Sequence, residues 1–241
     1  RRLFSISANK IGYAKLTQFG EQTTSDLQDS LKRMKAQGMQ GLILDLRDNP
    51  GGLLPQAVKV CELFLPRGKL IVSTEGRASQ AKDEWYSKGR DMLEGMPMVV
   101  LVNGGSASAS EIVAGCLQDL GRAFVMGEQT FGKGSVQTII PLQDGSALRL
   151  TTAKYYTPSH KVIHEHGITP DSIVPMSTQE EEALADARRS LIAFDGADQD
   201  ERPRIEGFRD IQLERATDFL RGMLLYQDRG NGQRKMAARK H

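Results

Sequence analysis

Apolar positions along this chain fall into short runs separated by polar and glycine-rich turns, and their spacing alternates between two periods. Ile11 to Leu16 (IGYAKL) alternates as a strand does, and after the polar turn FGEQTT a helix is expected to about Ala36, capped by Thr24 or Ser25. Its Leu27, Leu31 and Met34 recur at i, i+4 and i+7, which makes one apolar face. Gly38 and Gly41 close the helix. GLILDL, Gly41 to Leu46, is then a continuous apolar run of the kind found in a strand buried on both faces. RDNPGG breaks that strand sharply, and Ala57, Val60, Cys61 and Phe64 form the buried stripe of a second helix, roughly Leu54 to Phe64.

LIVSTEG predicts another strand, and the polar segment from Arg77 to Gly95 an excursion over the surface that carries the only tryptophan, Trp85. MVVLVN, Met98 to Asn103, is again a buried strand, followed by a serine-rich turn and a helix from Ser110 to Leu120. FVMGE, SVQTIIPL and SALRLTTAKYYT supply further strands, with Asp144-Gly145 marking a hairpin turn between the last two. Strand, turn and helix in repetition predict an α/β architecture with substantial parallel pairing. After Pro175 the chain becomes helical and highly charged: Gln179 to Ile192, a hydrophilic linker through DGADQDERP, then a last helix near Ile211 to Leu225. The expected division is a core over 1–176 and a charged helical extension over 177–241.

Composition narrows the class. With 241 residues and 39% hydrophobic content, the chain can bury a sizeable core. Its net charge of +2 comes from nearly balanced acids and bases, which supplies no electrostatic footprint for nucleic acid or for an anionic membrane. The basic end, Gln233 to His241, reads as a solvated tail. Cys61 and Cys116 each sit inside an apolar helical pattern, as small buried hydrophobes rather than metal ligands, and nothing points to a disulfide. No apolar run is long enough to cross a bilayer and Arg1 opens no signal-peptide pattern, so the chain is expected to be a soluble mature piece.

The chemistry centres on NGGSASASEIVAG, Asn103 to Gly115. A strand that runs through small residues into a helix gathers main-chain N–H groups and the positive end of a helix dipole, where a developing oxyanion would be stabilised. Ser106 and Ser110 read as helix caps; Ser108, flanked by alanines, is instead the candidate to present its hydroxyl as a nucleophile, with the Ala109 N–H beside it. No GxSxG elbow is present. His160, His164 and His166 are candidate bases, but they lie in a polar loop, and HEH lacks a third ligand for a metal. Lys133, between two glycines in TFGKGSVQT, is the other candidate, since burial there would favour its neutral form. Gln137 follows at an even offset, which in a strand puts it on the same side. GKGS is not a phosphate loop, because Gly134 stands where the Walker pattern needs Ser or Thr. LDLRDNPGG ends a strand with unpaired N–H groups that glycine can aim at a ligand, or that an ordinary turn explains equally.

GLILDLRDNPGGLL, VLVNGGSASASEIVAG, TFGKGSVQ, and YYTPSHKVI with HGITPD, in this order and spacing, closely resemble the catalytic core of the carboxyl-terminal processing peptidases, or tail-specific proteases, over about Ile11 to Pro175. The resemblance implies a serine endopeptidase with a Ser-Lys dyad: Ser108 at the nucleophile position, Lys133 at the general base and Gln137 at the supporting glutamine. Its oxyanion donors fall on the main chain of Gly51 or Gly52 and of Ala109. It implies a spiral of ββα units related to crotonase-like and Clp-type proteins, no metal or organic cofactor, and activity that rises with pH until the base is neutral. It also implies extended protein or peptide substrates and an extracytoplasmic location, the periplasm or cell envelope; a homo-oligomer is a candidate assembly that the sequence does not decide. The PDZ domain that such proteins usually carry is not evident, so it or an adaptor is expected outside this chain. Two rivals share the core: a crotonase-like acyl-CoA enzyme and an inactive peptide-binding scaffold.

Overall fold

In the computed structural model, residues 3–7, 10–76, 82–193 and 209–238 are described. In chain order the elements are β1 (Leu3–Ile6), β2 (Ile11–Lys15), α1 (Thr23–Ala36), β3 (Gly41–Asp45), α2 (Leu54–Glu62), β4 (Leu70–Gly76), β5 (Lys82–Tyr86), β6 (Met98–Val102), α3 (Ala109–Asp119), β7 (Phe124–Gly127), β8 (Ser135–Pro141), β9 (Ala147–Tyr156), β10 (Ser172–Ile173), α4 (Thr178–Ala193) and α5 (Ile211–Ala238). Two sheets result. The first runs β1-β2-β3-β6-β7-β10, parallel from β2 to β10, and the second β5-β4-β9-β8 is antiparallel. The α/β class with parallel pairing is therefore as the periodicity predicts.

The apolar runs β3 and β6 are buried at every position because both faces of the first sheet are covered. On one side Leu42, Leu44, Val100, Val102 and Val125 pack with Leu27 and Leu31 of α1, Val60 of α2 and Val113 and Leu117 of α3. On the other, Ile43, Val99, Leu101 and Met126 meet Ala216 and Leu220 of α5, while Phe219 stacks on Phe124 with ring centroids 4.5 Å apart. Cys61 and Cys116 are free thiols inside the first core, where burial pushes the Cys61 thiol up. No described helix is long and apolar enough to cross a membrane.

Several boundaries differ from expectation for local reasons. Neither Thr24 nor Ser25 caps α1: the N-cap is Gln22, whose side chain makes no capping bond, while Thr24 Oγ1 donates to Gln56 Oε1 and Ser25 Oγ to the Gln22 carbonyl. The polar excursion contains a strand, β5, because Lys82–Tyr86 pairs along the edge of β4. Edge strands need little apolar surface, which is why pattern missed it. Residues 77–81 and the linker DGADQDERP lie outside the described residues. The last helix continues past Leu225 to Ala238, into the basic tail.

Candidate active site

The turn after β6 is tied down by its own polar side chains. Asn103 Oδ1 accepts the N–H groups of Asp48 (2.8 Å) and Gly105 (3.1 Å), and its amide donates to Asp48 Oδ1 at 2.7 Å. Ser106 and Ser110 are not helix caps but ties to the end of β3: Ser106 Oγ donates to the Leu46 carbonyl at 2.8 Å and Ser110 Oγ to the Asn49 carbonyl at 2.9 Å. Both are fully buried. Ser108 alone of the three is partly exposed. It is the N-cap of α3 and holds φ 53°, ψ −112°, a backbone conformation rare outside glycine that costs on the order of 1–3 kcal/mol. Its sharp strand-to-helix turn does by geometry what a GxSxG elbow does by sequence.

Facing it is the turn that ends β3. Gly51 has φ +100°, and a Cβ there would lie 2.7 Å from the Ala107 carbonyl oxygen and 2.9 Å from both Ala109 N and Ser108 Cβ, so only glycine lets the two turns touch. The Gly51 N–H is committed to Asn49 Oδ1 at 2.9 Å. Phe19 bonds across to the Gly51 carbonyl and the Leu53 N–H, which leaves the Gly52 N–H without an acceptor among the described residues. The Ala109 N–H, at the first position of α3, likewise has none.

Lys133 lies on a loop held by one buried carboxylate that the sequence reading did not single out. Glu111, in the first turn of α3 and fully buried, accepts the Ser108 N–H (2.8 Å) and the Lys133 N–H (2.9 Å) on Oε2, and the Gly132 N–H (2.6 Å) and Thr130 Oγ1 (2.6 Å) on Oε1. The signal was available as Ser-x-x-Glu, the spacing of a capping box. Behind the loop, a Cβ on Gly134 would come within 2.3 Å of the His164 main-chain N, so this stretch is pressed against Ile163 and His164. The Lys133 side chain, however, is exposed, and among the described residues its amine makes no hydrogen bond to the Ser108 hydroxyl. The dry setting expected for it is not present in this arrangement. Gln137 is exposed too, and β8 begins only at Ser135, so Lys133 lies in the loop before the strand along which an even offset would set the two on one side.

Among the described residues no histidine is hydrogen-bonded to Ser108. His160 is exposed, stacks on Tyr156 and bonds Glu75 at 2.9 Å, a contact that holds the Glu75 carboxyl below its ordinary value. His164 has a buried Nδ1 without a hydrogen-bond partner, and His166 is exposed. Among the described residues no group of His, Cys, Asp or Glu is arranged to hold a metal ion.

Residues 10–174 match the model of Peptidase family S41. The chain belongs to that family. The resemblance read from the motifs is thus borne out. Across 168 residues, 68% of this chain and 38% of the relative, it is 55% identical to the carboxy-terminal-processing protease of Bartonella bacilliformis. Across 218 residues, 90% of this chain and 45% of the relative, it is 38% identical to the carboxyl-terminal-processing protease of Synechocystis sp.. Among solved structures it resembles the photosystem II D1 C-terminal processing protease, with a TM-score of 0.66 and 37% identity over 72% of this chain and 48% of that one. The chain spans less than half the length of these relatives.

Proposed function

We propose that this chain is the catalytic portion of an extracytoplasmic serine endopeptidase that cleaves proteins near their C-terminal tails. The observation that carries the reading is the strained Ser108 at the head of α3, with the Gly51-Gly52 turn pressed against it. Ser108 attacks the scissile carbonyl and Lys133 takes its proton. The oxyanion rests on the N–H groups of Ala109 and Gly52, chosen over Gly51 because Gly51 already donates to Asn49. Lys133 then protonates the leaving amine, and water activated by the same lysine releases the acyl group. For this the amine must turn from solvent towards Ser108 about a main chain that Glu111 already holds. Gln137 would orient the amine, an assignment that rests on the family resemblance. Substrate is taken as an extended strand. A PDZ domain or adaptor is assigned to a part of the protein outside this chain.

The test is a serine-reactive phosphonate probe together with a tail-bearing peptide. Wild type is expected to be labelled at Ser108 and to cleave; Ser108→Ala should do neither, and Lys133→Ala should lose both by a factor of at least about 10². Labelling and cleavage that survive Lys133→Ala would remove the lysine from the mechanism. Cleavage that survives Ser108→Ala would end the reading.

A further inference from the structure

The family match stops at residue 174, yet α5 lies beyond it and reaches the strand end from which the Gly51-Gly52 turn springs. The link is Arg47, two residues past β3 and fully buried. Its guanidinium is held from two sides. Asp45 accepts from Nε at 3.1 Å and Nη2 at 2.7 Å, and Asp210 takes Nη1 and Nη2 in a two-pronged pair, each at 2.8 Å. Gln212 Oε1 accepts from Nη1 at 3.1 Å while the Gln212 amide donates to the Val174 carbonyl at 2.7 Å. The Arg47 carbonyl in turn accepts from Lys15 Nζ at 2.6 Å. Burial alone would lower the guanidinium's affinity for its proton, but Asp45 and Asp210 outweigh it and hold Arg47 firmly charged.

Asp210 also accepts the Leu213 N–H at 3.0 Å, so the same carboxylate caps α5 and neutralises Arg47. Docking of α5 has an apolar basis besides that ion pair. Ala216 and Leu220 are fully buried against Ile43, Val99 and Leu101, and apolar contact of this kind is the cheaper way to hold a helix on a sheet. A buried pair contributes instead a fixed geometry. Here it fixes the chain at Arg47, four residues before Gly51, where the main chain must meet Ser108 closely enough that no side chain fits.

We propose that Asp210 is a positioning residue for catalysis: by gripping Arg47, the amino-terminal end of α5 holds the Asn49–Gly52 turn in register with Ser108. The segment after the family boundary is on this view part of the catalytic unit rather than an appendage. The proposal rests on the reading of Ser108 and this turn as an acyl-transfer site.

The experiment compares steady-state peptide cleavage and thermal unfolding of the full chain for wild type, Asp210→Asn, Asp210→Glu and Leu220→Ala. Asparagine keeps the cap and removes the charge. Asp210→Asn is expected to lower kcat by about ten- to a hundredfold with KM changed far less, the signature of a misplaced transition-state donor. Asp210→Glu, which keeps the charge, should recover part of that loss. Leu220→Ala should lower the midpoint of unfolding at least as much while kcat, measured well below it, stays near wild type. Wild-type kcat in Asp210→Asn, or losses of kcat in both variants that merely track stability, would overturn the proposal with the proteolytic reading intact. A wild type that neither cleaves nor labels at Ser108 overturns the reading itself, and this assignment with it.

Discussion

Ser108 and Lys133 donate their main-chain N–H groups to the same oxygen, Oε2 of Glu111, at 2.8 and 2.9 Å. The two residues assigned as nucleophile and base are therefore registered to each other through the backbone, whatever their side chains do. Each carboxylate oxygen takes two donors, because Oε1 also receives Gly132 N–H and Thr130 Oγ1. In Glu111→Gln, one oxygen becomes an NH₂ and meets donors. Leaving buried donors unmatched is expected to lower unfolding free energy by about 2–4 kcal/mol and kcat by about a hundredfold. Urea unfolding and peptide cleavage measure both. A glutamine variant with wild-type stability and rate would show that the carboxylate does not register the two loops.

Gly51→Ala separates strain from position. Gly38 also has positive φ, +85°, but a Cβ there meets nothing within 4 Å, so Gly38→Ala should cost only the backbone term, about 1 kcal/mol, and leave cleavage intact. At Gly51 the added carbon meets Ala107, Ser108 and Ala109. Gly51→Ala is expected to cost about 2–4 kcal/mol and to reduce probe labelling at Ser108 by at least about tenfold at a temperature where it remains folded. Equal behaviour of the two variants would mean that the turns need not touch.

These two positions show what a sequence can display. Gly51 stood out because RDNPGG breaks an apolar run, and the parallel sheet was legible because β3 and β6 are apolar on both faces. What lies over the second face was not legible: α5 follows a long charged stretch, and among its described residues Ala216, Leu220 and a few neighbours make the contact. Ser108 was set apart from its two neighbours by its alanine flanks and by the family resemblance, but its strain was not legible, since Gly51 and Glu111 close round it only in the fold. The placement of Gln137 relative to Lys133 was not legible, because β8 starts only at Ser135 and leaves Lys133 in the loop before it. Arg47 was not singled out within RDNPGG, because its partner Asp210 is 163 residues away.

Acid should loosen the loop that carries His160. Asp119, at the end of α3, accepts Ser159 N–H at 2.9 Å, Ser159 Oγ at 2.6 Å and Lys161 Nζ at 3.1 Å. Burial alone would raise its carboxyl, but these bonds and one from Thr157 outweigh it, so the group lies below its ordinary 3.8. A depressed folded value means stability that is fully present above the unfolded value and is lost as pH falls through the folded one. Asp119→Asn should therefore unfold at a lower temperature than wild type at pH 7, with the gap narrowing as pH drops below about 4. A gap that is constant from pH 7 to pH 3 would refute the ionised carboxylate as its source.

Arg122 accounts for the order in the polar stretch before β6. Its Nε donates to the Phe64 carbonyl (3.0 Å) and Asp91 Oδ2 (2.9 Å), Nη1 to the Met96 carbonyl (3.2 Å) and Nη2 to the Leu93 carbonyl (3.1 Å). One planar fork thus pins the end of α2 and both ends of the 91–96 turn, with Leu93 driven into the core beneath it. The ion pair with Asp91 is partly exposed and contributes little by itself; the main-chain acceptors matter more, since truncation leaves them unpaired. Arg122→Ala is expected to cost about 2–4 kcal/mol in urea unfolding and to open residues 88–96 to protease. Lysine offers three donors at a single point and cannot reach acceptors spread around the fork, so Arg122→Lys should recover less than half of the loss. Full recovery by lysine would mean that charge opposite Asp91, rather than the geometry of the guanidinium, holds the segment in place.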